Sequence, residues 1–232
     1  MMARGFTLLE LLIAITLSAI LALGTVNLVQ QMSISQERVH GSADTLDRLT
    51  LAKHRITDDV QQFVPLRPTA DEFGNPQPAV SLSTSGELTF TRHGWAQGII
   101  NPAHRSNLQR VHYALIDIQD DACRMGLNAA QWEQRTTLTG QCLVRRYRQH
   151  LEAERDNPWL SQVVLAPIKN LRWRVQTHAD DGAEWQEEWP PFRANEAVAL
   201  QALELVFDHE NVGTVRFFWA LPQSVPVPEA SE

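Results

Sequence analysis

FTLLELLIAITLSAILALGTVNLV, residues 6–29, carries one ionisable side chain, Glu10, in an otherwise apolar run. Its other polar members are Thr7, Thr16, Ser18 and Thr25, with Asn27 near the end. About 20 apolar residues at 1.5 Å per residue cross the ~30 Å hydrocarbon core of a bilayer, so this run can span it as one helix. A cleavable secretory signal would need a shorter apolar core, about 7–15 residues, followed by a small-residue cleavage site. No Ala-x-Ala-like site precedes Gln30 and Gln31. Arg4 lies before the span and the bulk of the chain after it, a bias that puts the amino end in the cytoplasm and the remainder in the periplasm. A carboxylate inside a span costs up to about 2.5–3.5 kcal/mol on insertion scales. Glu10 therefore either reaches the interface or meets a positive group supplied from elsewhere.

Beyond Val29 the sequence turns polar, with no proline until Pro65, so helix can continue to about residue 64. Val39, Leu46, Leu49, Ile56, Val60 and Phe63 fall at spacings compatible with one apolar face, and Ala52 substitutes where Lys53 interrupts it. Gly41 is a weak point costing about 1 kcal/mol relative to alanine. Ser42, Asp44 and Thr45 offer a local recap if the helix bends there. Pro65 and Pro68 end it, since proline lacks the amide donor. The second half of this helix is expected to lie against a sheet.

Residues 65–86, with four prolines and two glycines, read as an ordered loop. Alternating or apolar runs follow at 87–92, 109–116, 143–148, 171–177, 200–207 and 214–219, and the last two flank DHENVG at 208–213, a hairpin signal. One long helix followed by a mostly antiparallel sheet is an α+β plan.

The stretch RGFTLLE, residues 4–10, together with the apolar run behind it, resembles the class III signal of type IV pilins and type II secretion pseudopilins. The resemblance implies cleavage by a prepilin peptidase between Gly5 and Phe6, N-methylation of Phe6, and a role for Glu10 in neutralising the amino terminus of a neighbouring subunit. It also implies that the chain is the precursor. Further strings in consistent order look like the J-type minor pseudopilin family of type II secretion: TFTRHGWAQ (89–97), RSNLQRVHYAL (105–115), LRWRV (171–175), Trp185 with Trp189-Pro190, and VRFFWALP (215–222). The implied fold is type IV pilin-like, with a transmembrane first half of the helix and a β-rich periplasmic head.

The organisation that follows is a leader at 1–5, a membrane helix at 6–29, its amphipathic continuation at 30–64, a head at 65–222 and a flexible tail at 223–232. The implied function is a structural subunit near the tip of a short periplasmic fibre, helping to start its assembly and the export of folded proteins. Its implied partners are I- and K-type minor pseudopilins, the major pseudopilin fibre, prepilin peptidase and the inner membrane, with secreted proteins as candidates. The runner-up resemblance is the W-type minor pilin of a type IV pilus.

One segment departs from the family pattern. Where a short hairpin is expected, residues 119–142 read QDDACRMGLNAAQWEQRTTLTGQC, an insertion bounded by the only two cysteines, Cys123 and Cys142. A periplasmic location permits a disulfide between them; two free buried thiols are the other reading.

With 20 basic and 27 acidic residues, a net charge of -7 disfavours a nucleic-acid partner. The eight histidines show no metal-ligand spacing, and neither Asp117, Asp120 and Asp121 nor Asp180, Asp181 and Gly182 continue into a calcium loop. No cofactor, no metal and no catalytic constellation is expected. Arg145, Arg146 and Arg148, with Arg172 and Arg174, read as a basic strand edge with a solvated face. The tryptophans of the head read as core or partner contacts.

Overall fold

The structure is a computed structural model that describes residues 8–64, 69–71, 73–93, 107–148, 151, 158–179, 182–190 and 200–222. Helix α1, Leu8–Gln61, is followed by β1 Thr69–Ala70, β2 Pro76–Gln77, β3 Val80–Leu82, β4 Leu88–His93 and β5 Leu108–Asp117. A 3-10 helix Asp121–Gly126 and α2 Ala129–Glu133 come next. The chain then continues through β6 Gln141–Tyr147, β7 Leu160–Ala179, β8 Gly182–Gln186, β9 Leu200–His209 and β10 Gly213–Ala220. It divides into two compact units, residues 1–47 and 48–232.

In the first unit the apolar side chains of α1 are exposed, Leu8, Leu21 and Val29 among them. The hydroxyls inside the run are satisfied by the helix itself, with Thr16 donating to the Ile13 carbonyl at 2.9 Å and Thr25 to that of Ala22 at 2.8 Å. Small hydroxyls bonded back to their own turn need no external partner, which is why they are tolerated in an apolar span. Helix runs uninterrupted through Gly41, and Thr45 donates back to the Gly41 carbonyl at 2.9 Å instead of capping a new start.

In the second unit an eight-stranded sheet has the order β10-β9-β7-β6-β5-β4-β3, with β8 on β7, and each neighbouring pair is antiparallel. Leu49, Ala52, Ile56, Val60 and Phe63 of the helical segment join Phe90, Val111, Tyr113, Leu143, Trp173 and Leu205 in the main core. The spacings of three and four residues put these side chains on one helical face. Val39 and Leu46, expected in the same stripe, are exposed.

The helix ends at Gln61, short of the expected residue 64, because the chain is already captured by β4: Phe63 bridges Arg92, and the Val64 amide donates to the Thr91 carbonyl at 2.9 Å. The loop expected at 65–86 contains three short strands. Asp71 organises β1 and β2, its carboxylate accepting from the amides of Phe73 and Asn75 and from the Asn75 side chain at 2.8–2.9 Å. β3 pairs with β4 and buries Val80 and Leu82, an alternation too short to stand out in sequence.

The insertion at 119–142 is helical. Asp120 caps the 3-10 helix, and Asn128 with Gln131 forms a capping box on α2. Ile118, Cys123, Leu127, Cys142, Val144 and Ala166 form a second, smaller core beneath it. β7 begins at Leu160, well before the expected 171, because its first part pairs with β6 and its second with β9. Pro167 falls where the β6 register is irregular, the place a sheet tolerates a missing amide donor. β9 and β10 form the expected hairpin, with His209 opposite Gly213. Asp180 and Asp181, expected at a turn, lie outside the described residues, as do the tail at 223–232, Pro65, Pro68 and Trp95; Ala179 opposes Gly182 across β7 and β8.

Candidate functional site

The leader junction, Gly5 and Phe6, lies outside the described residues. Glu10 is exposed in the first turn of α1, where a carboxylate faces the positive end of the helix dipole. Cys123 and Cys142 are joined by a disulfide with their Cα atoms 5.9 Å apart, tying the start of the insertion to the first residues of β6. Gly140, just before β6, has φ +137°, and a Cβ there would stand 2.8 Å from the Ile168 carbonyl oxygen. Only glycine lets the chain return so close to β7.

The face of α1 turned to the sheet carries a buried charge centre that sequence reading missed. Asp59, fully buried, accepts from Arg92 and Arg145 and from the Tyr113 hydroxyl at 2.6 Å. Arg145 also donates through Nη2 to Asp59 at 3.0 Å and to Gln109 at 3.1 Å, and Arg92 to Gln62 at 2.8 Å. Burial, followed by the neighbouring Asp59 carboxylate, pushes the Tyr113 hydroxyl well above its usual range, so it stays a donor. Two guanidiniums thus share one carboxylate in the core, and Arg145 Nη1 and Gln109 Nε2 find no acceptor among the described residues.

The basic edge read from the sequence is not one. β6 is interior, between β5 and β7, and Arg145 points into the core. The signal was in the parity: Leu143, Arg145 and Tyr147 share a face, and Leu143 is core. Arg174 is neutralised by Glu204, also buried, which takes a second contact from Arg216. Arg172 stands 3.8 Å from Glu187, both exposed. Trp185 lies against Phe218 at 6.2 Å, and Trp189 bridges Leu82 by a reciprocal pair of 2.8 Å hydrogen bonds.

Asp117 and Asp120 are occupied in turn and cap contacts to Gln119 and Ala122. Among the described residues no group of three or more His, Cys, Asp or Glu side chains is placed to hold a metal.

The first unit carries an apolar amino-terminal helix whose side chains are exposed, and the second is an α+β unit. Residues 27–221 match the family model of type II secretion system (T2SS), protein J, and residues 1–26 match the prokaryotic N-terminal methylation motif. The chain belongs to the type II secretion protein J family. It is a minor pseudopilin of that system, and the family is structural in role.

This protein J homologue is similar to the type II secretion system protein J of Escherichia coli, 29% identical over 200 residues that cover 82% of this chain and 83% of the other. It is also similar to that of Klebsiella pneumoniae, 24% identical over 222 residues covering 94% and 95%. Its fold resembles a chain in the GspK-GspI-GspJ complex from the enterotoxigenic Escherichia coli Type 2 Secretion System, with TM-score 0.53 at 20% identity, covering 76% of this chain and 96% of that one. The methylation motif and one apolar amino-terminal helix fit an inner-membrane anchor for this pseudopilin.

Proposed function

We infer that this pseudopilin is cut between Gly5 and Phe6 by prepilin peptidase, methylated on Phe6, and held in the inner membrane with its head in the periplasm. In this reading it joins I- and K-type minor pseudopilins near the tip of the pseudopilus, where the complex starts fibre assembly, contacts the major pseudopilin and meets secreted proteins. Its action is assembly, without catalysis. The observation that carries the reading is the protein J match over residues 27–221 immediately behind a methylation motif. The relative crystallised as GspK-GspI-GspJ supports the choice of partners.

Glu10 has a physical role in this scheme. A carboxylate in the first helical turn of one subunit can neutralise the charged amino terminus of the next inside the bilayer, where an unpaired charge is costly. The disulfide stiffens an insertion that forms part of the head surface.

Deletion of the gene followed by parallel assays of exoprotein secretion and twitching motility tests the assignment. Secretion is expected to be lost with twitching intact. Loss of twitching with secretion preserved would instead favour the W-type minor pilin. Glu10→Val is expected to leave cleavage intact and impair assembly, and normal secretion in that variant would remove the role given to Glu10.

A further inference from the structure

The two faces of β4, β5 and β6 differ in kind. One carries Phe90, Val111, Tyr113 and Leu143 into the core shared with α1. The pleat sends Thr89, Thr91, Arg110, His112 and Arg146 to the other. There the registered neighbours touch: Thr91 accepts from Arg110 at 3.1 Å, and Thr89 shares a 2.8 Å hydrogen bond with His112 Nδ1. The Arg148 amide donates to the Arg110 carbonyl at 3.3 Å, which sets these two arginines opposite each other on that face. A pocket of about 300 Å3 opens over them, its lining joining Arg110, Arg148, Leu151 and Trp159 to Asp71 and Phe73 of the β1–β2 turn.

Arg110 gives the pocket its chemistry. It is only 6% exposed, yet every acceptor it meets among the described residues is neutral: the Pro78 carbonyl at 2.7 Å, the Ala79 carbonyl at 2.8 Å and Thr91. Those contacts use Nη1 and Nη2 and leave Nε without an acceptor among the described residues. Burial lowers its pKa to about 10, with no neighbouring carboxylate raising it. Burial also holds the His112 imidazole low against Glu87, and Arg146 and Arg110 add to it, the mark of a positive potential on this face. A buried charge met only by neutral dipoles is costly, and a carboxylate supplies the missing counter-charge through charge-assisted hydrogen bonds.

The rest of the lining selects what the carboxylate is attached to. Arg148 lies over the Trp159 ring at 4.5 Å, and Trp159 keeps 36% and Phe73 88% of their surface exposed, so two accessible rings line the same pocket as the cations. Hydrogen bonds, first from the Asn75 side chain, hold Asp71 below the usual carboxylate range and keep it ionised. Its charge disfavours a dianion such as a phosphate monoester, and the planar guanidinium fork matches a planar carboxylate. The volume is at the small end of the range for small-molecule sites.

We propose that this pocket binds a carboxylate carried on a flat apolar group, with Arg110 and Arg148 holding the carboxylate and Trp159 and Phe73 covering the ring. A free aromatic acid and the carboxy-terminal residue of a peptide share this chemistry. The site is independent of the partners named above, so its failure leaves the pseudopilin reading in place.

The test is a calorimetric titration of the full-length chain in detergent micelles with N-acetyl-L-phenylalanine, its amide and 3-phenylpropionate. The N-acetyl acid is expected to bind saturably with Kd on the order of 1 mM or below, and the amide about tenfold or more weakly, since the ring is the same and only the charge is gone. Tighter binding of the N-acetyl acid than of 3-phenylpropionate identifies a peptide end as the source, and equal binding a free acid. Trp159→Ala and Phe73→Ala, both at exposed rings, should each raise Kd by about threefold or more. Arg110→Gln should abolish the preference for acid over amide, a change that a merely structural loss would not produce; if that variant does not fold, the acid-to-amide comparison and the ring variants decide. Phe218→Ala, at an exposed ring outside the lining, should leave Kd unchanged. No saturable binding of the acid, or acid and amide bound alike by the wild type, overturns the site. Binding that persists unchanged in Trp159→Ala and Phe73→Ala places the ligand elsewhere and overturns it as well.

Discussion

Replacing Asp59 with asparagine keeps the shape of the side chain but strands two guanidiniums in the core. Arg145 and Asp59 are both fully buried and Arg92 is 5% exposed, so water cannot replace the lost carboxylate without opening the contact between helix and sheet. Removing one partner of a buried ion pair costs about 3–5 kcal/mol. For a domain of this size each kcal/mol lowers the unfolding midpoint by roughly 2–4 °C, so Asp59→Asn should lower it by roughly 6–20 °C. Tyr113 keeps an acceptor in the asparagine oxygen and should add little to the loss.

The midpoint is read by tryptophan fluorescence of the full chain in detergent micelles, since Trp173 and Trp219 lie in the same core. The double variant Asp59→Asn with Arg145→Gln should lose less than the two single losses added, because both substitutions break the same ion pair and the double variant leaves neither Asp59 nor Arg145 as a stranded charge. A loss below about 1 kcal/mol for Asp59→Asn, the range of solvent-exposed pairs, would refute the reasoning and mean that the carboxylate is solvated.

Burial holds the His112 imidazole below its usual range, opposed by Glu87 and reinforced by Arg146 and Arg110. The folded state therefore binds its proton more weakly than the unfolded chain does. This stabilisation is present above about pH 6.5 and lost as pH falls through the lower folded value, so His112→Gln should flatten the fall of stability below about pH 6.5; an unchanged slope would count against it. Gly126→Ala would press a methyl to 2.5 Å from Val163 Cγ1 and 3.0 Å from the Ala166 Cβ, and should destabilise by about 1–3 kcal/mol in denaturant titration. The disulfide links residues 19 apart, so reduction should remove roughly 3 kcal/mol in the chain-entropy model, visible as a lower midpoint under reducing conditions and in Cys123→Ser with Cys142→Ser. An unchanged midpoint on reduction would show that the bridge does not restrain the unfolded chain.

What the residues alone determine here is the part governed by local, one-dimensional physics. An apolar run long enough to cross a bilayer, a helix free of proline to Pro65, and strands that alternate over six or more residues are all legible, because each depends on spacing along one element. The helical face of Leu49, Ala52, Ile56, Val60 and Phe63 was legible for the same reason. The charge centre was not. Asp59, Arg92, Tyr113 and Arg145 come from a helix and three strands, and the sheet order brings them together.

Parity along β6 put Arg145 on the face of Leu143, yet whether that face met water or core depended on β5 and β7 flanking it. Short strands such as β3 acquire their conformation from a partner, so two or three residues carry no pattern of their own. The pocket over Arg110 is the clearest case. Its lining comes from β1 and β2, from β4 and β5, and from the stretch around Leu151 and Trp159, far apart in sequence, and Arg110 meets only neutral acceptors because packing sets it against the Pro78 and Ala79 carbonyls.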